Sequence, residues 1–485
     1  MTYVYDINTF HSCFRKTRAM GELSILPLPY RIDCCDHFAR LRSLPGAVLL
    51  DSARAHGAQG RFDVLSALPL CELVSRGNLT TIRARDHVTH STLDPFRLVA
   101  QALEDHLSPA ASRPDAWPFQ GGAIGWFGYE LGRRSAGLAL RSTADAPADM
   151  QVGIYGWALL QDHEQRSAVA LFTPAIDEAT RRRVLAALES PLSPPAAPFL
   201  LDGPFRSNFG TGGYEQAFAR VQRYLLDGDC YQVNLAQRLS APCHGDPWAA
   251  YLHLRARTAS PFSAFLQGDD ATAVLSFSPE RFVRVTGAHV ETRPIKGTIR
   301  RGSTPETDRI QARALLASEK DHAENVMIVD LMRNDLARSC RIGSVRVEKL
   351  CALESYANVH HLVSVISGTL DAHSGPLDVL ARCFPGGSIT GAPKIRAMQI
   401  IDELEPDPRS VYCGAIGYVS RHGAMDTSIA IRTLVCDGRE VHAWGGGGIV
   451  VESDCSTEYR ETLTKIEPLL DGLRAASAAP GIRCP

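Results

Sequence analysis

One lysine in this sequence poses a chemical question. Lys296 lies in Arg293-Pro294-Ile295-Lys296-Gly297-Thr298, where Pro294 and Gly297 pin the backbone on both sides. Only six of the 51 basic residues are lysine, so the chain carries its solvated positive charge on arginine. A lysine at a buried strand end loses hydration, which favours the neutral amine and lowers its pKa. Moving it from ~10.4 to ~8 costs about 3 kcal/mol, at ~1.36 kcal/mol per unit. The return is a nucleophile usable at neutral pH. Taken alone, the same residues also fit a lysine snorkelling from a strand edge.

Two acidic pairs point to a cation. Asp321 and Glu324 are three apart in a helical pattern, and so are Glu458 and Glu461. That spacing puts each pair on one helix face. If the faces meet, the carboxylates repel one another unless a divalent cation sits among them. Hard oxygen ligands suit Mg²⁺, which takes one or two protein carboxylates and keeps water or substrate oxygen. Each pair alone equally fits solvated helix charge.

Other segments offer anion contacts. The run Trp444-Gly445-Gly446-Gly447-Gly448-Ile449 follows a strand pattern, and bare backbone lets N–H groups approach an anion. A turn or bulge explains glycines as well. Arg432, in an apolar strand pattern, suits bidentate carboxylate binding or a structural ion pair. Residues 385–394, PGGSITGAPK, place small residues before a proline-started helix, whose N–H groups could hold a carboxylate. Of His360 and His361, one could shuttle protons; the commoner outcome is one exposed and one buried. The segment Met327–Asp335 reads as a buried helix ending in a structural charge network.

The elements that must position these groups are partly readable. Residues 46–52, GAVLLDS, read as a buried strand. PFQGGAIGWFGYELGRR mixes glycines and aromatics, which suits close backbone approach in a sheet. Residues 150–160, 167–172, 229–240, 271–277, 411–419, 425–435 and 441–451 read as strands, and 280–300 as the partner of 271–277. Residues 214–227, 393–404 and 456–474 read as helices. A long helical pattern with a break covers 305–337, with Thr304 as its N-cap and Pro305 in the first turn. Elements come in clusters, so the fold class is α+β with antiparallel sheet. The prolines of PLSPPAAPF divide an N-terminal lobe, 1–190, by a linker, 191–204, from a second domain, 205–475.

Bulk properties exclude several classes. With 485 residues, 45% hydrophobic and 21% charged, the chain reads as globular with more than one lobe. A formal net charge of −2 and no basic run argue against nucleic acid or an anionic membrane as partner. No apolar run spans a bilayer. Thirteen scattered cysteines without Cys-x-x-Cys suit free thiols in a reducing cytoplasm. The start, MTYVYDINTF, lacks the basic and apolar regions of a signal peptide.

In order, SPERF, RPIKGT, KDHAENVMIVDLMRNDL, VHHLVS, FPGGSITGAPK, CGAIGY, IAIRTL, GGGGIV and EYRET resemble the chorismate-utilising enzymes. That family includes the anthranilate, aminodeoxychorismate, isochorismate and salicylate synthases. The resemblance runs from about residue 205 to 470, and LLDSA, PFQGGAIGWFGYELGRR and VGIYGWAL extend it into the N-terminal half. It implies two stacked antiparallel sheets ringed by helices, with chorismate between them. Glu324 and Glu461 match the direct Mg²⁺ ligands, and Asp321 and Glu458 match supporting carboxylates. Arg432, Tyr418, Gly446, Gly448 and Thr390 match positions around chorismate's carboxylates, and His361 matches the active-site histidine.

Two positions choose among branches. Isochorismate and salicylate synthases carry a lysine base where this chain has Gln232. Anthranilate synthases carry alanine where this chain has Lys296; PIKGT is the form of the aminodeoxychorismate synthases. The resemblance therefore implies Lys296 as a covalent nucleophile and Glu280, in SPERF, as a protonated acid for the departing hydroxyl. Ammonia is the second substrate, and no Gly-x-Cys-x-Gly glutaminase elbow occurs, so a separate glutaminase subunit is expected. Ser52 and Phe62 with Pro261, Phe262 and Ser263 resemble the family's amino-acid site, a tryptophan pocket. The rival readings are an anthranilate synthase large subunit and a non-catalytic subunit that only binds the glutaminase.

Overall fold

A strand covered on both faces reads as an unbroken apolar run, and GAVLLDS is one. Val48 packs with Val64, Ala264 and Val274, in a layer shared with Leu73, Ile124, Trp126 and Val152 of a second sheet. Leu49, Leu65, Phe265 and Leu275 pack on the opposite face, against Phe38, Trp248, Leu254 and Leu469 from helices. Successive side chains thus alternate between two apolar layers, as strand geometry requires. Each large side chain so buried contributes ~1.5–3 kcal/mol.

The computed structural model describes residues 23–53, 60–84, 87–110, 117–139, 141, 147–192, 197–258, 260–268, 271–356 and 359–478. The start of the chain, read above for a signal peptide, and 193–196 of the proline-rich stretch lie outside them. Among the described residues one sheet has 13 strands and the other 12, all paired antiparallel. Both mix the two halves of the chain. Asp51 pairs with Ser263 in the larger sheet, and Gly125 pairs with Gly417 in the smaller. No described helix is long and apolar enough to cross a membrane, and the eleven described cysteines are free thiols.

Nine elements carry the site: β1 (Gln232–His244), β2 (Ala273–Ser278), β3 (Arg281–Thr286), β4 (Ile295–Arg300), α1 (Glu319–Ala337), β5 (Val359–Thr369), α2 (Lys394–Leu404), β6 (Glu440–Ile449) and α3 (Cys455–Ala478). β1, β2 and β6 belong to the larger sheet, and β3, β4 and β5 to the smaller. Thr304 caps the helix Pro305–Leu316 as expected, with Pro305 in its first turn. The break in the long helical pattern falls before α1, where Ser318 accepts from Asp321 N. The charge network at the end of Met327–Asp335 is structural: buried Asp335 pairs with Lys394 at 2.6 Å.

Three sequence-based strands are corrected. Residues 150–160 split at Gly156 into Met150–Tyr155 in the smaller sheet and Trp157–Asp162 in the larger. Residues 280–300 form three strands, with a turn at Gly287, whose φ is +58°. Residues 425–435 split into Met425–Ile429 in the smaller sheet and Thr433–Cys436 in the larger. Hydropathy cannot register such crossings, because the chain stays buried as it changes sheet.

Candidate active site

Two of the places where the chain crosses between the sheets are adjacent, and each of these two delivers a charged side chain. β2 leads through Pro279 and Glu280 into β3, and Met425–Ile429 leads through Arg432 into Thr433–Cys436. The crossings are bonded to each other: Ile429 N donates to Glu280 O at 3.1 Å, and Phe277 N donates to Arg432 O at 3.0 Å. Arg432 is thus not within a strand, as its apolar surroundings suggested. Its φ is +50°, a conformation that costs a non-glycine residue of order 1–3 kcal/mol and that clusters at functional sites. Among the described residues its side chain has no hydrogen bond or ion pair, so a guanidinium fork stands open at the seam. Glu280 is the charged group that acts on it.

Glu280 is 5% exposed. Burial pushes its carboxyl up to about 7, against the lowering effects of the Ser388 hydroxyl and Lys296. A carboxyl so placed keeps a large protonated fraction at neutral pH, as a general acid requires. Lys296, on β4, has its amine lowered by burial, partly opposed by Glu324, Glu280 and Glu461 and reinforced by Lys465. Its Nζ donates to Ser388 O at 3.1 Å. Ser388 also donates its hydroxyl to Glu280 Oε1 at 2.8 Å. One residue therefore holds both groups. Sequence reasoning singled out its segment for backbone N–H groups and missed Ser388 itself; α2 begins at Lys394, with Pro393 outside it as N-cap.

The two acidic pairs converge. α1 presents Asp321 and Glu324 near its N-terminus, and α3 presents Glu458 and Glu461. The Lys320 ammonium lies 3.9 Å from Glu324 and 3.6 Å from Glu458. Lys465 lies 2.6 Å from Glu461. Burial raises the Glu324 carboxyl, and Glu461 and Asp321 add to the rise. Burial also opposes ionisation of Glu461, yet Lys465, Lys320 and Lys296 hold it below the ordinary range. Glu458 Oε2 is buried without a hydrogen-bond partner, although Ser453 donates to Oε1 at 2.7 Å. Three glutamates around ammonium groups, with Asp321 beside Glu324 and one Glu458 oxygen orphaned, have the chemistry of oxygen ligands for a divalent cation.

The glycine run forms the end of β6 rather than a turn, and each glycine makes room for something. A Cβ on Gly447 would sit 2.8 Å from Glu458 Oε2, and one on Gly448 2.1 Å from Gln232 Nε2. On Gly446 it would sit 2.7 Å from Asn234 Oδ1. Gln232 Nε2 and Asn234 Oδ1 are likewise buried without partners. Such orphans are costly unless a ligand or water completes them. Asn234 escaped the sequence reading, because only its position opposite Gly448 reveals it.

The remaining expected residues are less tightly tied. His360 and His361 are both 3% exposed, so the expectation of one exposed histidine is corrected. The His361 ring is pushed down to about 4 by burial, then Arg432 and His360, and so is neutral. Its Nδ1 lies 2.7 Å from the Thr298 hydroxyl. The Thr390 hydroxyl donates to Gly386 O at 3.0 Å. Tyr418 meets Phe119 edge-on at 5.6 Å, with Asp426, Arg281 and Arg284 as charged neighbours. No described contact joins it to Lys296 or Glu280.

Away from the seam, the strands that begin or end beside Ser52, Phe62 and Phe262 are neighbours in the larger sheet. Ser52 donates its hydroxyl to Asp63 at 2.7 Å. Ser263 donates to Ser260 O at 3.0 Å. Pro261 precedes their strand. Arg61 lies over the Phe62 ring at 4.7 Å, and Arg281 over Phe262 at 5.2 Å.

Two stacked antiparallel sheets carrying a buried acid, a half-buried lysine and a cluster of carboxylates form the site of an enzyme. The chain belongs to the chorismate binding enzyme family, which its sequence matches over residues 53–471. It is 47% identical over 454 residues to aminodeoxychorismate synthase component 1 of Klebsiella aerogenes, covering 93% of this chain and 99% of that one. It is 45% identical over 452 residues to the same component of Escherichia coli K12, covering 93% and 98%. Among solved structures, anthranilate synthase component I from Streptococcus pneumoniae TIGR4 superposes with a TM-score of 0.74 at 30% identity, covering 86% of this chain and 93% of that one.

Proposed function

We propose that this chain aminates chorismate at C4, giving 4-amino-4-deoxychorismate for 4-aminobenzoate and folate synthesis, with ammonia from a separate glutaminase subunit. The observation that carries the reading is the half-buried Lys296, its amine fastened, through Ser388, beside a Glu280 carboxyl pushed up to about 7. The relatives' name, component 1, supports a second component as partner. With no crossing helix among the described residues and free thiols throughout them, the cytoplasm is the proposed compartment.

The Arg432 guanidinium and the backbone at Gly446 and Gly448 bind chorismate's carboxylates, with Thr390 beside them. Glu324 and Glu461, backed by Asp321 and Glu458, would hold Mg²⁺, which when bound supplies counter-charge for a substrate carboxylate. Neutral Lys296 attacks ring C2; both ring double bonds shift, C1=C2 to C1=C6 and C5=C6 to C4=C5, and the C4 hydroxyl leaves as water with a proton from Glu280. Ammonia then bonds to C4, both double bonds shift back, and the Lys296–C2 bond breaks to return the amine. The Glu280 carboxylate recovers a proton from the new ammonium group. Both displacements run through the ring diene, C2–C1–C6–C5–C4, and leave the enolpyruvyl group on C3 in place. Neutral His361, held by Thr298, orients the substrate without adding charge.

The test is turnover of chorismate in ammonium buffer with Mg²⁺, with the product identified. Formation of 4-amino-4-deoxychorismate supports the reading. Fluorescent anthranilate would instead establish the anthranilate synthase activity, and no turnover would leave a binding subunit. Robust glutamine-dependent turnover by the purified chain alone would refute the separate glutaminase. A tryptophan pocket at Ser52, Phe62, Pro261, Phe262 and Ser263 is a second proposal, supported by their adjacency in one sheet. Calorimetry with tryptophan, on protein shown by denaturing release to carry none, tests it.

A further inference from the structure

The part of β1 facing the glycine run lacks a neighbouring strand on its other side, and a buried ion pair fills the gap. There, Gly391–Ala392 pairs with Gln232 and Val233, and Arg206–Ser207 pairs with Leu239 and Ser240. Between them the β1 backbone bonds elsewhere. Asn234 N donates to Thr390 O at 2.9 Å. Asn234 O accepts from Arg409 Nη2 at 2.7 Å. Ala236 N donates to Glu405 Oε1 at 2.8 Å.

Arg409 is 1% exposed and Glu405 5%. The guanidinium reaches Glu405 through Nε at 2.8 Å and Nη2 at 2.6 Å. Its Nη1 donates to Ile389 O at 2.9 Å, between Ser388 and Thr390. Its own backbone N–H donates to Glu130 Oε1 at 3.0 Å. Tyr129 lies against the guanidinium face, 4.8 Å from it. Tyr129 and Glu130 come from PFQGGAIGWFGYELGRR, a segment so far without a role in the reaction.

We propose that Arg409 is a positioning residue: its rigid fork sets the spacing between the β1 wall and the Ser388 turn that holds Lys296 and Glu280. Glu130 fixes the fork from the N-terminal half of the chain. Only a planar group with several donors can satisfy Asn234 O, Ile389 O and both Glu405 oxygens together; an ammonium is a compact point charge on a flexible stem. The inference rests on chorismate amination as the reaction.

The test is Arg409→Lys, which keeps the charge and loses the fork, assayed in ammonium buffer with Mg²⁺. The expected result is a folded protein, by near-UV circular dichroism, with KM for chorismate raised at least fivefold and kcat lowered at least tenfold. A mere loss of folded enzyme lowers kcat and leaves KM alone. A folded variant with both constants within twofold of wild type, or with KM unmoved, overturns the proposal. If Arg409→Lys does not fold, Glu405→Gln takes its place, with the same readouts and limits; failure of both to fold assigns the pair to the fold alone and also overturns it. Should wild type itself not aminate chorismate, the proposed activity fails instead. Calorimetric chorismate affinity of wild type and variant then reads the clamp, with the same fivefold criterion.

Discussion

Lys296 and Glu280 are fastened to the same residue: Lys296 Nζ donates to the Ser388 carbonyl at 3.1 Å, and the Ser388 hydroxyl donates to Glu280 Oε1 at 2.8 Å. A nucleophile and a proton donor for the two ends of one conjugate displacement need fixed separation, because misplacement by an ångström is costly in rate. Ser388 supplies that separation through one backbone and one side-chain atom.

Lys296→Ala removes the nucleophile. Intact-mass analysis of quenched mixtures with chorismate and Mg²⁺ should show an adduct in wild type and none in the variant. Amination should fall by on the order of a thousandfold or more, within the usual reach of covalent catalysis. Undiminished amination would remove Lys296 from the chemistry.

The pH dependence of adduct formation follows from the two groups. Glu280 must be protonated, so the rate should fall as pH rises through about 7, by tenfold per unit well above it. Lys296 must be neutral, so the rate should also fall as pH drops and the amine protonates; its lowered pKa moves that limb to lower pH than an ordinary lysine would give. Rapid-quench rates across pH 5–9 report both limbs. A flat alkaline side would contradict the assignment of Glu280.

Ser388→Ala separates the two attachments. The carbonyl to Lys296 remains, while the hydroxyl that favours the Glu280 carboxylate is lost. The Glu280 pKa should therefore rise, moving the alkaline limb upward by up to about one unit, the size of a charge-assisted hydrogen bond of ~1.5 kcal/mol. A downward shift would mean that the hydroxyl serves the protonated form.

The acidic cluster predicts opposite effects from its neighbours. Glu461→Gln should raise the Mg²⁺ concentration for half-maximal turnover at least tenfold, and chelation should abolish wild-type turnover. Lys320→Ala should lower that concentration, because its ammonium lies within 4 Å of two of the acids and competes for them. Mg²⁺-independent turnover by the wild type would exclude the site.

Leu275 alternates with Val274 between the two apolar layers. Leu275→Ala should destabilise the fold by about 2–5 kcal/mol, read as a lowered urea midpoint at unchanged slope. A loss below 0.5 kcal/mol would mean that the helix layer over that face is loosely packed.

The sequence by itself determined the α+β class, the Thr304 cap and the presence of a break in the helical pattern over 305–337, the helical spacing that pairs Asp321 with Glu324 and Glu458 with Glu461, and the odd lysine at 296. These are local properties: periodicity, caps and residue type act within a few positions along the chain. Only tertiary structure decided that 150–160 and 425–435 change sheets midway, because a buried chain keeps its hydropathy while its strand partners change. The same limit hid Ser388, Asn234 and Arg409, whose significance lies in partners tens to hundreds of residues away. It also hid the open guanidinium of Arg432, since only the crossing at φ +50° frees that side chain from a strand. Charge and spacing can be read along one chain, but desolvation and unpaired hydrogen bonds arise only when distant segments exclude water together.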